Sequence, residues 1–134
     1  MIRVAVLADY KDISSFDPFS GNRKEDIDEN RVYVYIKDDC VRGFLSFARA
    51  GLLGRAFIQY LAVDPEYRRI NIASSLFSHI EEKYAADRLF ISTESSNKPM
   101  QDLLKKRDYI SAGKISGANK NGTDELYYYK DRNA

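Results

Sequence analysis

The sequence predicts a mixed α/β fold of about seven strands, in which antiparallel strands precede a strand-helix-strand unit and a hairpin closes the chain. Three observations carry this reading. Residues 31–37, RVYVYIK, alternate β-branched and aromatic side chains with the period of two expected of a half-buried strand. From Ile72 onward, Ile72, Ala73, Leu76, Phe77, Ile80 and Tyr84 return at three- and four-residue steps, the spacing of an amphipathic helix. That helix lies between two apolar runs, and so short a crossover joins parallel neighbours through a right-handed connection.

Residues 2–7 alternate into a first strand. Asp9-Tyr10-Lys11-Asp12 follows, with a brief helical pattern in Ile13, Phe16 and Phe19 that Pro18 and Gly21 close. Residues 21–30 are polar, with Ile27 their one aliphatic side chain, so a mobile loop or a solvent-exposed helical turn is expected. Residues 31–37 and 41–49 form a hairpin that turns at Asp38-Asp39. Gly51 and Gly54 bracket the next turn, and the apolar run 56–63 stops at Asp64-Pro65, which cannot extend a ladder.

Beyond the long helix, RLFIST at 88–93 is another strand. Ser96-Asn97-Lys98-Pro99 offers capping residues and an early proline to a second short helix, marked by Met100, Leu103, Leu104 and Arg107 and ending near Asp108. Residues 109–116 and 124–130 are the last strands, with the glycine and asparagine loop 117–122 between them. Three antiparallel strands ahead of the helix, the crossover and this hairpin complete the sheet. No repeat, low-complexity segment or linker interrupts the chain, so one domain is expected over 1–134.

Composition narrows the partners. With 21 basic and 20 acidic residues and a net charge of +1, no broad field draws the chain to nucleic acid or to an anionic membrane, and any phosphate affinity must be local. One cysteine, Cys40, excludes an internal disulfide and a multi-cysteine zinc site; with a single histidine, no structural metal is expected. No stretch approaches membrane-spanning length and the first residues lack a signal pattern, so a soluble, reducing, cytoplasmic setting is expected.

The chemistry points to the loop entering the long helix, Tyr67-Arg68-Arg69-Ile70-Asn71-Ile72-Ala73-Ser74. Two guanidinium groups and then small or left-handed-tolerant residues stand where a helix leaves four amide N–H groups without partners. Such an end attracts anions, phosphates above all. Taken alone, it is also the composition of a solvated connector with surface arginines.

These residues resemble the GNAT superfamily of acyl-CoA-dependent N-acyltransferases, whose pyrophosphate loop reads Gln/Arg-x-x-Gly-x-Gly/Ala. Arg68, Asn71 and Ala73 match, with Asn71 in place of the first glycine. Asn is the residue that best tolerates positive φ after Gly, which keeps the turn available. The resemblance spans essentially the whole chain: VRGFLSFA (41–48) is similar to the family's "ivGfl" strand, and Asn97, Met100, Leu103 and Asp108-Tyr109 to its Asn-x-x-Ala...Gly-Phe pattern. GTDELYYYK (122–130) and the SN-x-PM stretch (96–100) resemble one bacterial-type subgroup.

The resemblance implies a GNAT fold with a mixed central sheet and helices on both faces, acetyl-CoA as co-substrate, and an amine acceptor. It implies that the loop amides of Arg69, Ile70, Asn71, Ile72, Ala73 and Ser74 hold the pyrophosphate, with Arg68 or Arg69 adding charge. The backbone of Leu61, Ala62 and Val63 would pair with the pantetheine amides as an added strand, and Asn97 would hydrogen-bond the arm. Asn97 is read equally as a helix cap.

Acetyl transfer to an amine needs a proton acceptor and a donor for the leaving thiolate. The family often has Glu where this chain has Gln59, which cannot titrate, and its common acid, a Tyr of the second helix, falls on Leu104. The candidates left are Tyr60 on the same strand, Glu94 at the carboxyl end of the next, and Tyr128, which faces away from Tyr127 and Tyr129. A strand tyrosine usually serves packing, and orientation with water as proton carrier is a further route. His79 reads as a half-buried flank residue, and Asp108 as a left-handed helix end.

The expectation is an N-acetyltransferase acting on a small-molecule or peptide/protein amine in a ternary complex, as a monomer or a homodimer. The alternatives are a catalytically degenerate acyl-CoA sensor or docking module, and a structural domain that binds no CoA.

Overall fold

The computed structural model describes residues 1–84 and 87–131. In chain order they form β1 (Ile2–Val4), α1 (Tyr10–Ser14), α2 (Arg23–Asp28), β2 (Val32–Lys37), β3 (Cys40–Leu52), β4 (Arg55–Val63), α3 (Ile72–Lys83), β5 (Arg88–Glu94), α4 (Lys98–Lys106), β6 (Ile110–Ile115) and β7 (Glu125–Asp131). The class is mixed α/β, with a seven-stranded mixed sheet and flanking helices, as the alternation and helical spacing predict. The chain divides into two units, Met1–Ala48 with Ile58–Lys83, and Arg49–Phe57 with Tyr84–Ala134.

In the first unit β1, β2 and β3 are antiparallel neighbours, with Arg3 opposite Val34 and Val34 opposite Phe44. The β2–β3 turn places Asp38 and Asp39 at φ of 53° and 62°. Two left-handed residues give the turn whose twist suits the strands it joins. Because strand side chains alternate, Val32, Val34 and Phe44 join Ala5, Ile13, Ile27 and Ala62 in one core cluster, while Tyr33 points the other way to stack on Phe47 and meet His79 of α3 edge-on, at ring-centroid distances of 5.5 and 4.8 Å. Gly43 is buried against the start of α3: a Cβ there would lie 2.7 Å from Cγ2 of Ile72.

Two expectations are corrected in this unit. The first strand ends at Val4, because Asp9 folds the chain back: its Oδ2 accepts from the Val6 N–H at 2.8 Å, and its two oxygens grip the Arg3 guanidinium at 2.7 and 3.0 Å. Residues 21–30 take the helical alternative rather than the loop, but not as a solvent-exposed turn. Asn22 caps α2, accepting from the Glu25 N–H at 3.1 Å, and Arg23, Asp26 and Ile27 of that helix are buried.

In the second unit β7 runs antiparallel between β5 and β6, with Arg88 opposite Asp131 and Ile110 opposite Tyr129. Arg88 and Asp131 form a two-point ion pair at 2.8 and 2.9 Å. Asn97 caps α4, its Oδ1 accepting from the Met100 N–H at 3.2 Å, and Asp108 ends it at φ 67°, the left-handed exit expected there. Among the described residues no group of three or more His, Cys, Asp or Glu could hold a metal, and no helix is long and apolar enough to cross a membrane.

Candidate functional site

β4 ends where Asp64 takes over the backbone. Its Oδ1 accepts from the Glu66 N–H at 3.1 Å and its carbonyl from the Tyr67 N–H at 2.8 Å, which winds Pro65–Tyr67 into a single 3-10 turn. Arg68 is extended, Arg69 is left-handed at φ 67°, and Asn71 is left-handed at φ 66°; the helix begins at Ile72, with the Ser75 N–H donating to the Asn71 carbonyl at 2.9 Å. Asn71 thus occupies the conformation that glycine would supply, at the smallest penalty for a residue with a side chain.

Left-handed residues in a loop change the direction in which successive N–H groups point, and the first turn of a helix carries N–H donors that have no acceptor within it. Arg68, Arg69, Ile70 and Asn71 are exposed, Ala73 and Ser74 half-buried, and Ile72 anchors the loop in the core. Neither Arg68 nor Arg69 has a carboxylate partner among the described residues. Arg68 donates from Nε to the Val63 carbonyl at 3.4 Å, a weak bond at the end of β4.

The turn before the loop is braced from the β2–β3 hairpin. Arg42 lies over the Tyr67 ring at 4.1 Å and reaches Asp64 Oδ2 at 3.3 Å, while the Tyr67 hydroxyl donates to Asp38 Oδ2 at 3.0 Å. The Asp38 carboxylate that accepts this bond, together with burial, holds the Tyr67 phenol above its ordinary pKa, so it stays protonated and donating.

On β4, Tyr60 is half-buried against the core cluster. Its ring stacks on Phe19 at 4.9 Å, and the guanidinium of Arg23 lies 4.4 Å from its centroid. Gln59, one residue earlier, points to the opposite face of the strand. In the second unit Glu94 closes β5, opposite Glu125, and its carbonyl accepts from the Asn97 N–H at 3.0 Å. Tyr128 is opposite Ile91 and faces away from Tyr127 and Tyr129, as strand alternation requires. Leu104 is fully buried, so α4 brings no hydroxyl at that position.

The family model for the GNAT acetyltransferases matches residues 4–109, from β1 to the end of α4. The chain belongs to the GNAT acetyltransferase family. GNAT acetyltransferases use acetyl-CoA. No curated protein matches the sequence. Among solved structures, a GNAT-family acetyltransferase from Bacillus cereus superposes with a TM-score of 0.87 at 26% identity, over 100% of this chain and 98% of that one. The ribosomal-protein-S18-alanine N-acetyltransferase of Escherichia coli gives 0.79 at 16% identity, over 96% and 91%. A chain of the NatB acetyltransferase complex bound to CoA and MES gives 0.80 at 19%, over 97% and 97%.

Within this GNAT chain the first unit gathers Gln59, Tyr60, Leu61, Ala62, Val63 and the loop from Arg68 to Ser74, whereas Glu94, Asn97 and Tyr128 belong to the second. Sequence reasoning missed three polar clusters: Arg23 with Asp17 and Asp26; Arg42 with Tyr67 and Asp38; and Glu125, whose carboxylate accepts from Ser92 Oγ at 2.6 Å and Asn119 Nδ2 at 3.1 Å. Only the Arg23–Asp26 pair had a local signal, its helical spacing of three.

Proposed function

We propose that this chain is an acyl-CoA-dependent N-acetyltransferase, a single domain over 1–134, that moves an acetyl group from acetyl-CoA to a primary amine of a small molecule or of a peptide or protein. The observation that carries the reading is the pair of left-handed residues, Arg69 and Asn71, in a loop whose two arginines have no carboxylate partner among the described residues, at the start of α3. A CoA diphosphate needs converging N–H donors and local positive charge, and this loop supplies both. The arm then extends along β4, where Leu61 and Val63 offer backbone groups to its amides.

The reaction is direct attack in a ternary complex. The amine nitrogen forms a bond to the thioester carbon, the C–S bond breaks, and the sulfur leaves as a thiolate that takes a proton. Tyr60, Gln59, Glu94 and Tyr128 are the candidates for steering these protons, with water able to carry them. A cytoplasmic setting, a monomer or homodimer, and no nucleic-acid or membrane partner complete the reading.

One observation favours a second reading, a GNAT domain that holds acyl-CoA without turning it over. Leu104 is aliphatic and fully buried, and Gln59 cannot titrate, so two groups that would carry protons are replaced. Release of free CoA from acetyl-CoA over a broad amine panel separates the two. Amine-dependent release supports the enzyme; a ligand-induced rise in Tm without release supports the sensor; neither sinks both.

A further inference from the structure

Four carboxylates of the first unit that leave water stand beside a cation: Asp9 faces Arg3, Asp17 and Asp26 face Arg23, and Asp64 faces Arg42. Glu125, the half-buried residue that opens β7, is held differently. Ser92 Oγ donates to its Oε2 at 2.6 Å and Asn119 Nδ2 to its Oε1 at 3.1 Å, both neutral groups, and no Lys or Arg among the described residues pairs with it. Ser92 comes from β5 and Asn119 from the loop between β6 and β7. That loop fixes the amide in turn: the Asn119 N–H donates to the Thr123 carbonyl at 3.2 Å and the Gly122 N–H to the Asn119 carbonyl at 2.8 Å. Ser95 Oγ, accepting from the Asp124 N–H at 3.2 Å, ties the start of β7 to the end of β5. The carboxylate is thus oriented from three elements, while each of its oxygens keeps one acceptor position unused.

The ladder sets a second carboxylate beside it. Glu94 is directly opposite Glu125 in the β5–β7 register, so the two side chains leave the same face of the sheet with Cβ atoms about 5 Å apart. The Glu94 carboxylate has no partner among the described residues, and like charges in this position are unfavourable. Tyr127, two residues along β7, lies on the same face, where its ring stacks on Phe57 of β4 at 6.3 Å. The charge that would relieve this face is a cation, and an aromatic floor tolerates one.

Gln59 cannot titrate and Leu104 brings no hydroxyl, which leaves the transfer reading without a fixed proton acceptor at those positions. We propose that Glu125 is a catalytic residue that receives the ammonium of an alkylamine acceptor and takes its proton, with Ser92 and Asn119 as the positioning residues that hold it. The inference rests on the acetyl-transfer reading and narrows its acceptor to an amine that arrives protonated. The ammonium gives one proton to a Glu125 oxygen, which frees the nitrogen lone pair. The nitrogen then bonds to the thioester carbon, the C–S bond breaks, and a second proton passes from nitrogen to the departing sulfur. The products are the N-acetyl amide, the CoA thiol and one proton, which Glu125 returns to water.

The test compares wild type with Glu125→Gln, Glu94→Gln, Ser92→Ala and Ser92→Thr in acetyl transfer to a panel of alkylamines, protonated at neutral pH, and of aromatic amines, which are neutral there. Acetyl-CoA binding is followed separately by thermal shift. Glu125→Gln is expected to lower kcat/KM for alkylamines by about 100- to 10,000-fold, the usual worth of a positioned base, and to cost the aromatic amines less than about tenfold, since they bring no ammonium proton. The rise in Tm with acetyl-CoA should match wild type. Ser92→Ala leaves the carboxylate in place but free to turn, so kcat should fall about tenfold, and Ser92→Thr, which keeps the hydroxyl, should restore most of it. That serine pair decides the matter if Glu125→Gln fails to fold or if wild type accepts alkylamines alone; Thr and Ala variants that lose activity equally overturn the inference. So does a folded Glu125→Gln that acetylates alkylamines as wild type does or loses both amine classes equally, or a loss confined to Glu94→Gln, and each of these leaves the transfer reading intact. Wild type that binds acetyl-CoA but acetylates no amine overturns both.

Discussion

Arg42 lies flat over Tyr67, 4.1 Å from the ring centroid, and the same tyrosine donates to Asp38 at 3.0 Å. One residue after Tyr67 the loop into α3 begins, so a strand, a hairpin turn and the loop entrance share a single side-chain stack. Removing the hydroxyl with Tyr67→Phe keeps the ring under Arg42 but frees the turn from Asp38. We expect a small fall in Tm and a clearly smaller rise on adding acetyl-CoA; Arg42→Ala, which removes the stack and the Asp64 contact, should shrink that rise further. Equal ligand-induced shifts in all three proteins would show that the brace does not reach the loop.

Asn71 at φ 66° makes the loop a test of backbone conformation. Asn71→Gly should keep or improve acetyl-CoA affinity, whereas Asn71→Val, β-branched and poorly suited to positive φ, should weaken it. Each tenfold loss of affinity removes about 1.4 kcal/mol of ligand stabilisation at saturating acetyl-CoA. Isothermal titration of the two variants checks the order, and a Val variant that binds as wild type does would exclude the loop as the diphosphate site.

Gly43 permits the close approach of β3 to Ile72, where a Cβ would sit 2.7 Å away. Gly43→Ala should destabilise by about 1–3 kcal/mol, the usual cost of overpacking a core. Since Ile72 opens α3, acetyl-CoA affinity should fall as well. Ile72→Ala in the same chain removes the clashing methyl, so the double variant should be less destabilised than the sum of the singles in denaturant titration.

Asp9 governs an acid response. The Arg3 hydrogen bond holds its carboxyl below the usual carboxylate value, against burial and with help from the Val6 N–H and the Arg3 charge. The folded pKa is therefore the lower one, and at acid pH the unfolded chain binds the extra proton. Its contribution is present above the ordinary value of about 4 and is lost as pH falls through the folded value. The Tm advantage of wild type over Asp9→Asn should be level near neutrality and shrink below about pH 4; an advantage that grows with acid would reverse the assignment.

Much of the fold, and the loop, was legible along the chain. Strand alternation in 31–37 and the three- and four-residue steps from Ile72 report directly on backbone period, and a left-handed backbone strongly favours Gly, Asn or Asp, which is why Asn71 and Asp108 could be placed at positive φ. The sequence by itself determined those features because each depends on neighbours within a turn of helix or a pair of strand residues. Only the tertiary structure decided that Arg23 is buried, that Tyr67 is braced by Arg42 and Asp38, and that Glu125 is held by Ser92 and Asn119. A charged or polar side chain can leave water only where partners converge on it, and here Asp38 comes from 29 residues away for Tyr67, Ser92 from 33 for Glu125, and the ring beneath Arg23 from another element. That convergence has no period to read, so RKEDID looks like a solvated helix until Asp17 and Tyr60 arrive beside it.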